Sequence, residues 1–239
     1  MSEIREATRK GVKGAAMRLR LIEATIAALT DLGYAGASTS EVVRRAKVSR
    51  GALLHHFPTR ADLLLATARH ICEEQERFRR QRLKDVPRGM DRFFSITDAM
   101  WATMQRPESV ALTELMLGSR ADDELREPFA QVMREAASRL YDGPAEVAED
   151  IGYSNSRMVR AMAKLHIAAM RGLMVEQHYG GGDQHMDDAY ELLVWYKQAA
   201  MRRLADPAFD EAVRLELERP LAPPVVRMQR SGKNQNRQS

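Results

Sequence analysis

Two adjacent histidines, His55 and His56, lie in the stretch SRGALLHHF at residues 49–57. Imidazole side chains can bind a metal ion, transfer protons or donate hydrogen bonds to a partner. Adjacent helical residues point about 100° apart. Because metal-binding histidines on helices prefer i, i+4 spacing, a metal site formed by this pair is disfavoured. We expect His55 to reach a large partner and His56 to pack against neighbouring helices.

Other combinations of reactive residues give weaker signals. His178, Asp183, His185 and Asp187 lie in or next to the stretch YGGGDQHMDD, but a glycine-rich loop lacks the rigid geometry of a metal site. The single cysteine, Cys72, cannot form an internal disulfide. The sequence has no glycine-rich phosphate loop, nucleophile elbow or paired cysteine motif. It therefore predicts a protein that is not an enzyme and that uses no metal or cofactor.

Three helix-start signals surround the histidines and define the elements that position them. A side chain that can cap a helix marks each start: Ser38 with Glu41, Ser49, and Thr59 with Asp62. Pro58 ends the second helix, and the sequence KVS leaves only a short turn between the first two helices. Two short helices on a tight turn, braced by longer helices, are typical of a helix-turn-helix.

The second short helix has the residue types of a helix that docks in the major groove of DNA. Val48, Leu53 and Phe57 form its inner side, and the remaining residues face outward or lie at the margin. Arg50 can form paired hydrogen bonds with a guanine or contact a phosphate. Gly51 has no side chain and permits a close backbone approach. The small or apolar Ala52 and Leu54 can touch a thymine methyl group, and the histidines can donate to phosphates or bases.

The segment GASTSEVVRRAKVSRGALLHHFPTRADLL resembles the TetR-type transcriptional regulators over about residues 15–65. The resemblance implies a three-helix DNA-binding head on a larger helical body that binds a ligand and forms a dimer. It also implies that Arg60 contacts phosphate. Leu54 departs from the family, in which many members have an aromatic hydroxyl there. The expected DNA-binding residues are Ser38, Thr39, Ser40, Lys47, Ser49, Arg50, Gly51, Ala52, Leu54, His55, His56 and Arg60.

The composition favours a soluble helical protein with a basic N-terminal segment. Of the 239 residues, 44% are hydrophobic and 29% charged. Residues 1–60 hold 11 Lys and Arg against 5 Asp and Glu, whereas residues 61–239 hold 26 against 28. A basic segment ahead of a near-neutral remainder favours binding of a polyanion. With no signal-peptide core and no apolar run of roughly 18 residues, we expect a cytoplasmic prokaryotic protein, associated with the nucleoid when bound to DNA, without a membrane partner.

Apolar periodicity predicts an all-α fold, with a helix-turn-helix head and a larger helical body. We expect a basic arm at 1–14, a DNA-binding domain at 15–65 that continues into a linking helix to about 86, a ligand-binding and dimerisation domain at 87–218, and a disordered basic tail at 219–239. The first helix should run from about 15 to Gly33. The body helices should cover about 89–105, 107–119, 122–142, 144–152, 154–179, 185–205 and 208–218.

The sequence of the helical body predicts a ligand pocket and a dimer interface. Methionine adapts to irregular apolar shapes, and His166 or Arg171 can orient a carboxylate or phenol, although an ordinary helical core also explains these residues. The expected pocket residues are Trp101, Met104, Met116, His166, Met170 and Arg171. The expected interface residues are Val159, Met162, Ala163, Ile167, Met174, Leu192, Leu193, Tyr196 and Ala200.

These features predict a dimeric repressor that binds an inverted-repeat operator in double-stranded DNA and is released by a small apolar or amphipathic effector. The alternative is a helical small-molecule-binding protein or enzyme with an incidental basic N-terminus.

Overall fold

The computed structural model describes residues 2–150, 152, 156–180 and 185–204, and every regular element in these ranges is helical. In chain order the helices are α1 (Ser2–Gly36), α2 (Thr39–Ala46), α3 (Arg50–His56), α4 (Arg60–Arg82), α5 (Met90–Met104), α6 (Pro107–Gly118), a 3₁₀ turn (Ser119–Ala121), α7 (Asp123–Asp150), α8 (Ser156–Gly180) and α9 (His185–Leu204). The all-α prediction is confirmed. The chain divides into two compact units, Met1–Ala200 and Met201–Ser239.

The predicted capping residues start the helices around the helix-turn-helix. Ser38 accepts a hydrogen bond from the Glu41 amide at 3.2 Å, and Ser49 accepts one from the Ala52 amide at 3.1 Å. Thr59 and Asp62 form a complete capping box at the start of α4. Lys47 ends α2 in the left-handed conformation, with a φ of 52°, which turns the chain towards α3. Local side-chain chemistry therefore sets the angle between α2 and α3.

Two predicted boundaries were wrong. The first helix begins at Ser2 rather than at about residue 15, and its regular geometry breaks at Gly33, where φ is 68°. The two helices predicted for 122–142 and 144–152 form the single helix α7, which contains Pro144. Proline lacks an amide hydrogen and disfavours a helix interior, which explains the predicted break. The helix predicted at 208–218 and the basic tail at 219–239 lie outside the described residues.

The largest apolar core joins the helix-turn-helix to the helices that follow it. Leu21, Leu29, Leu53, Phe57 and Leu64, from α1, α3, α4 and the turn after α3, are almost fully buried. The same cluster continues into α6 and α7 through Ala111, Leu112, Leu115, Leu125, Phe129 and Val132. A second cluster lies among α5, α8 and α9 and contains Met100, Met104, Ile167, Met170 and Met174. Within Met1–Ala200, α1 packs on α6, and α4 packs on both α6 and α7.

None of the helices in the described ranges combines the length and the apolar composition of a membrane-spanning segment.

Candidate nucleic-acid interface and interior cavities

One side of α3 is exposed and carries most of the residues predicted to contact DNA. Leu53 is buried beneath the helix, and Phe57 is buried just after its end. Arg50, Gly51, Leu54 and His55 are exposed, and Leu54 has 45% of its surface open to solvent. Ala52 and His56 are half-buried at the margins. The structure therefore brings a cation, a hydrogen-bonding ring and an apolar side chain onto one accessible helix face.

Gly51 lies on this face without a packing reason inside the protein. A Cβ added there would meet nothing nearer than the Ser49 hydroxyl oxygen, at 3.9 Å. Glycine in a helix costs about 0.5–1 kcal/mol relative to alanine. The fold therefore has room for a side chain at this position, and the glycine leaves the backbone of α3 open to close approach from outside.

The two histidines have different surroundings. Their rings meet edge to face with centroids 5.2 Å apart. His55 is exposed, whereas His56 is half-buried and lies 4.0 Å from the position of a Cβ built on Gly14 of α1. The Arg18 guanidinium donates to the His56 carbonyl at 3.5 Å and lies 4.4 Å from the centroid of the Phe57 ring. A cation there complements the negative end of the α3 dipole and ties α3 to α1.

The remaining predicted DNA contacts flank α3. Ser40 and Lys47 are exposed, and Ser38 and Thr39 are half-buried at the start of α2. Within α2, Glu41 accepts hydrogen bonds from Arg44 at 2.7 Å and from Arg45 at 2.6 Å. These two arginines lower the pKa of Glu41 to about 2. Much of the positive charge on α2 is therefore paired with Glu41, whereas Lys47 and Arg50 are exposed on either side of the turn.

Arg60 is bound inside the protein rather than extended from it. Its Nη1 donates to the Tyr34 hydroxyl at 3.0 Å, its Nη2 donates to the Tyr34 carbonyl at 2.9 Å, and the guanidinium lies 4.5 Å from the ring centroid. The Tyr34 hydroxyl donates to Asp122 at 2.6 Å, and Arg60 lies 3.5 Å from the same carboxylate oxygen. We call this group, Arg60, Tyr34 and Asp122, the Tyr34 junction.

The Tyr34 junction depends on a close approach to α6. The Tyr34 amide donates to Glu114 at 3.0 Å, and the ring lies against Gly118, where an added Cβ would fall 2.0 Å from Cγ of Tyr34. Burial, followed by the hydrogen bond to Asp122, raises the pKa of Tyr34. That hydrogen bond lowers the pKa of Asp122, which stays ionised and also accepts from the Leu125 amide at 3.2 Å. The end of α1, the start of α4 and the α6–α7 turn are thus locked together.

The predicted pocket residues divide between two cavities. A cavity of about 270 Å³ beneath α4 has Met104, Met116 and Arg171 among its lining residues. A smaller one of about 40 Å³ is lined by His166 and Met170. Trp101 lines neither and instead stacks on the Tyr190 ring at 4.9 Å. The two cavities share Met100 and Leu140 as a wall.

The small cavity contains two buried groups that sequence analysis did not combine. Lys197 of α9 and His166 of α8 are each only 5% exposed. The Lys197 ammonium donates to the Phe93 carbonyl and, at 2.7 Å, to the Thr97 hydroxyl, and it lies 4.2 Å from the Phe93 ring centroid. Burial lowers the pKa of Lys197 to about 7, against a smaller opposing effect of Asp98.

His166 has one satisfied ring nitrogen and one unsatisfied ring nitrogen. Nδ1 lies 2.8 Å from the Met162 carbonyl oxygen and donates to it in the neutral ring. Nε2 is buried without a hydrogen-bond partner among the described residues. Burial lowers the pKa of His166 and outweighs the opposing effect of the Met162 carbonyl. The Lys197 cation also lowers this pKa, the Leu193 carbonyl raises it, and the net shift favours the neutral ring.

The surroundings of Lys197 do not fully compensate its burial. Removing an ammonium from water costs several kcal/mol, even after the protein relaxes. The two hydrogen bonds and the contact with the Phe93 ring offset part of this cost, and the lowered pKa of Lys197 indicates that part of it remains. An ammonium has three donor hydrogens, and two described acceptors are in contact with it. The site therefore has unused capacity for an oxygen atom carrying negative charge.

Four residues predicted for the dimer interface lie inside the protomer. Val159, Met162, Ile167 and Met174 are at most 7% exposed and pack in the core. Leu192 and Tyr196 are exposed by 63% and 47%, and Ala163, Leu193 and Ala200 are half-buried. The exposed apolar surface also includes Leu165 and Trp195. The apolar stripe of α8 was predicted to face a second chain, but these four residues face the core of the protomer. An apolar stripe does not by itself distinguish a protomer core from an interface.

Clusters of three or more His, Cys, Asp or Glu side chains that could hold a metal ion are absent from the residues the structure describes. The weak metal candidate in YGGGDQHMDD falls partly on residues 181–184, which are outside those ranges.

The chain is similar in sequence to bacterial regulatory proteins, and the family model matches its N-terminal part. Residues 21–67 match the family model of bacterial regulatory proteins, tetR family. An HTH-type transcriptional regulator of Mycobacterium tuberculosis is 31% identical over 124 residues, covering 52% of this chain and 63% of that protein. CymR, an HTH-type transcriptional regulator of Pseudomonas putida, is 38% identical over 114 residues, covering 45% and 53%. These matches span less than two thirds of each relative.

The fold of the chain also matches solved structures. A TetR transcriptional regulator from Chloroflexus aurantiacus superposes with a TM-score of 0.64 at 20% identity, over 77% of this chain and 95% of that chain.

Proposed function

We propose, from the premise that residues 21–67 form a helix-turn-helix domain of the TetR family, that this chain is a ligand-responsive transcriptional regulator which binds DNA through α3. The observation that carries the proposal is the exposed face of α3, where Arg50, Leu54 and His55 surround a glycine that the fold itself does not need. Such a face matches the needs of major-groove docking: close backbone approach, a paired hydrogen-bond donor and an apolar contact.

Each expected DNA contact has a role on this face. Arg50 reads a base edge or binds a phosphate, and Leu54 touches a thymine methyl group. Lys47 and the hydroxyls of Ser38 and Ser40 contact the backbone phosphates that fix the register. Because Arg60 is held by Tyr34, its expected phosphate contact requires the guanidinium to bind both groups or to leave Tyr34.

The regulator acts as a homodimer with an inverted-repeat operator. The support is an exposed apolar surface on α8 and α9, where Ala169, Leu173, Leu192, Trp195 and Tyr196 line a shallow groove. A large apolar patch on a monomer marks an interaction surface. Two chains paired by two-fold symmetry present two α3 helices to successive major-groove faces. In a bacterial cell such a protein works in the cytoplasm, at the nucleoid.

The Tyr34 junction provides the physical link between effector and DNA. It joins α4 and the end of α1 to Asp122, at the start of α7, and α7 lines both interior cavities through Leu140. An effector that prefers a different position of α7 weakens DNA binding, and DNA weakens effector binding by the same factor. The protein therefore functions as a repressor whose DNA affinity falls when a cavity is filled.

Selection of duplexes from a random DNA pool by the purified full chain tests the proposal. We expect an inverted repeat, with affinity that falls steeply with salt at a slope of about −0.9 per neutralised phosphate. Arg50→Ala should change the selected sequence, whereas the matched control Arg77→Ala, an exposed arginine of α4 paired with Glu74, should not. Failure to enrich any sequence over the input pool, with and without cell metabolite extract, would contradict the proposed function.

Sedimentation of the same protein tests the dimer. Trp195→Glu puts a charge on the exposed apolar surface and should convert a dimer to a monomer at micromolar concentration. Leu19→Glu, an exposed leucine on α1, is the matched control. A wild-type monomer, or a Trp195 variant that remains dimeric, would place the interface elsewhere.

A further inference from the structure

Lys197 and His166 make the small cavity chemically different from an apolar pocket. Most of its other lining residues are apolar: Phe93, Ile96, Met100, Leu140, Val159 and Met162. Within this wall lie one ammonium, one threonine hydroxyl and one imidazole nitrogen that has no partner. Buried polar groups are normally hydrogen-bonded, and an exception at a cavity wall indicates a group that a ligand completes.

The polar groups specify the kind of ligand. An ammonium donates and cannot accept, so it requires an acceptor and repels a cation. The Nδ1 hydrogen of His166 is used by Met162, so Nε2 of the neutral ring is an acceptor that requires a donor hydrogen. A protonated oxygen acid supplies both: its O–H bond breaks as the hydrogen passes to Nε2 of His166, and the oxyanion left behind accepts hydrogen bonds from the Lys197 ammonium and from the new Nε2–H group.

The space in the cavity fits such a group. The cavity of about 40 Å³ is large enough to admit a small group of atoms. A carboxyl group has three heavy atoms. The rest of a ligand can extend past Met100 and Leu140 into the neighbouring cavity of about 270 Å³, since methionine adapts its shape at low cost.

We infer that the cavity lined by α5, α7, α8 and α9 binds a small organic acid, a carboxylic acid or a phenol, with its acid group between Lys197 and His166 and its apolar part towards Met100. This inference names the effector class of the proposed regulator and rests on that proposed function for its biological role. Arg171, which was predicted to orient the ligand, lines the larger cavity instead. Lys197 takes its place at the acid group.

The test is calorimetric titration of the full chain with matched probes. The acids are butyrate, benzoate, octanoate and phenol, and the controls are butyramide, benzamide, octanamide and benzylamine. At least one acid should bind tenfold more tightly than its amide, or, for phenol, than benzylamine. Comparing phenol with the carboxylates identifies which oxygen acid the site prefers.

Variants connect the binding to the two side chains. Lys197→Met keeps most of the volume and removes the charge, and His166→Phe keeps a ring and removes Nε2. Each should weaken the preferred acid at least tenfold, whereas Lys84→Met, at an exposed lysine after α4, should leave it unchanged. Circular dichroism and binding to the selected DNA verify that each variant is folded.

Three results would overturn the inference: no acid binds the wild-type chain, an amide or amine binds as well as the acids, or both variants keep wild-type affinity. These results are independent of DNA selection. A chain that selects an inverted repeat but binds no acid loses only this inference, whereas a chain that binds an acid at Lys197 but selects no DNA loses only the proposed function.

Discussion

Tyr34 accepts two hydrogen bonds from Arg60, through its hydroxyl at 3.0 Å and its carbonyl at 2.9 Å. Arg60 is the first residue of α4, and Tyr34 follows the break in α1 at Gly33. The same hydroxyl donates to Asp122 immediately before α7. One tyrosine therefore connects the end of α1 to the start of α4 and to the residue before α7.

We predict that Tyr34 and Asp122 are energetically coupled. Tyr34→Phe removes the hydroxyl and leaves Asp122 with one fewer donor, which should lower the free energy of unfolding by about 1–2 kcal/mol. Urea denaturation of Tyr34→Phe, Asp122→Ala and the double variant measures the pairwise term, and we expect it to exceed about 0.5 kcal/mol. Additive effects of the two substitutions would show that the contact contributes nothing specific.

We predict that Gly118→Ala is strongly destabilising. Its Cβ would lie 2.0 Å from the Tyr34 ring, so the ring must move and the Tyr34 junction must open. The expected loss is about 2 kcal/mol or more, the size typical of overpacking. Gly11→Ala is the matched control, since an added Cβ there meets nothing within 4 Å. That control should stabilise the helix slightly, and equal melting temperatures for the two variants would refute the steric argument.

We predict that Gly51→Ala separates stability from DNA binding. Alanine fits the fold at this position and should raise the unfolding free energy by up to about 1 kcal/mol. In the proposed docking through α3, the same methyl group lies between the helix backbone and DNA, so affinity for the selected duplex should fall at least tenfold in fluorescence anisotropy. Gly143→Ala on α7 provides the control. Undiminished DNA affinity in the Gly51 variant would mean that α3 does not dock by this face.

We predict that Lys197→Met stabilises the ligand-free protein in a pH-dependent way. The pKa of Lys197 is about 7 in the folded chain, against 10.5 for an ordinary lysine. Between these values the folded state binds fewer protons than the unfolded state, so the Lys197 contribution to stability rises with pH. Its penalty is fully present below pH 7 and lost above about 10.5.

Thermal unfolding across this pH range measures the effect. The stabilisation by Lys197→Met should be about 1 kcal/mol or more at pH 6, after allowance for the two hydrogen bonds that are lost, and should shrink towards pH 10. Lys84→Met should show no such trend. A gain that is independent of pH would indicate better packing instead of relief of a buried charge.

The helix-turn-helix was predictable because local chemistry specifies it. Ser38, Ser49 and Thr59 satisfy amides only three residues away, so their roles can be read from short sequence spacing. The exposed and buried sides of α3 follow from the same helical period. By contrast, the continuity of α7 through Pro144 runs against the local preference of proline, so short-range sequence signals did not predict it.

The interior site was only partly predictable, because its residues come from distant parts of the chain. His166 was expected in a pocket, but Lys197 was missed, although it follows the partly buried Leu193 by four residues on one side of α9. A lysine within an apolar stripe is the signal that would have identified it. The Tyr34 junction joins residues 26 and 88 positions apart, and no short spacing predicts such contacts.

The buried ammonium of Lys197 has a consequence for the lifetime of the protein in a cell. A ligand that binds the folded state and neutralises this charge increases the folded fraction by mass action. Cellular proteases degrade the unfolded fraction, so a change of 1–2 kcal/mol alters abundance about severalfold. An acid bound beside Lys197 would therefore protect the chain from turnover, and the amount of regulator in the cell would rise with the supply of its own effector.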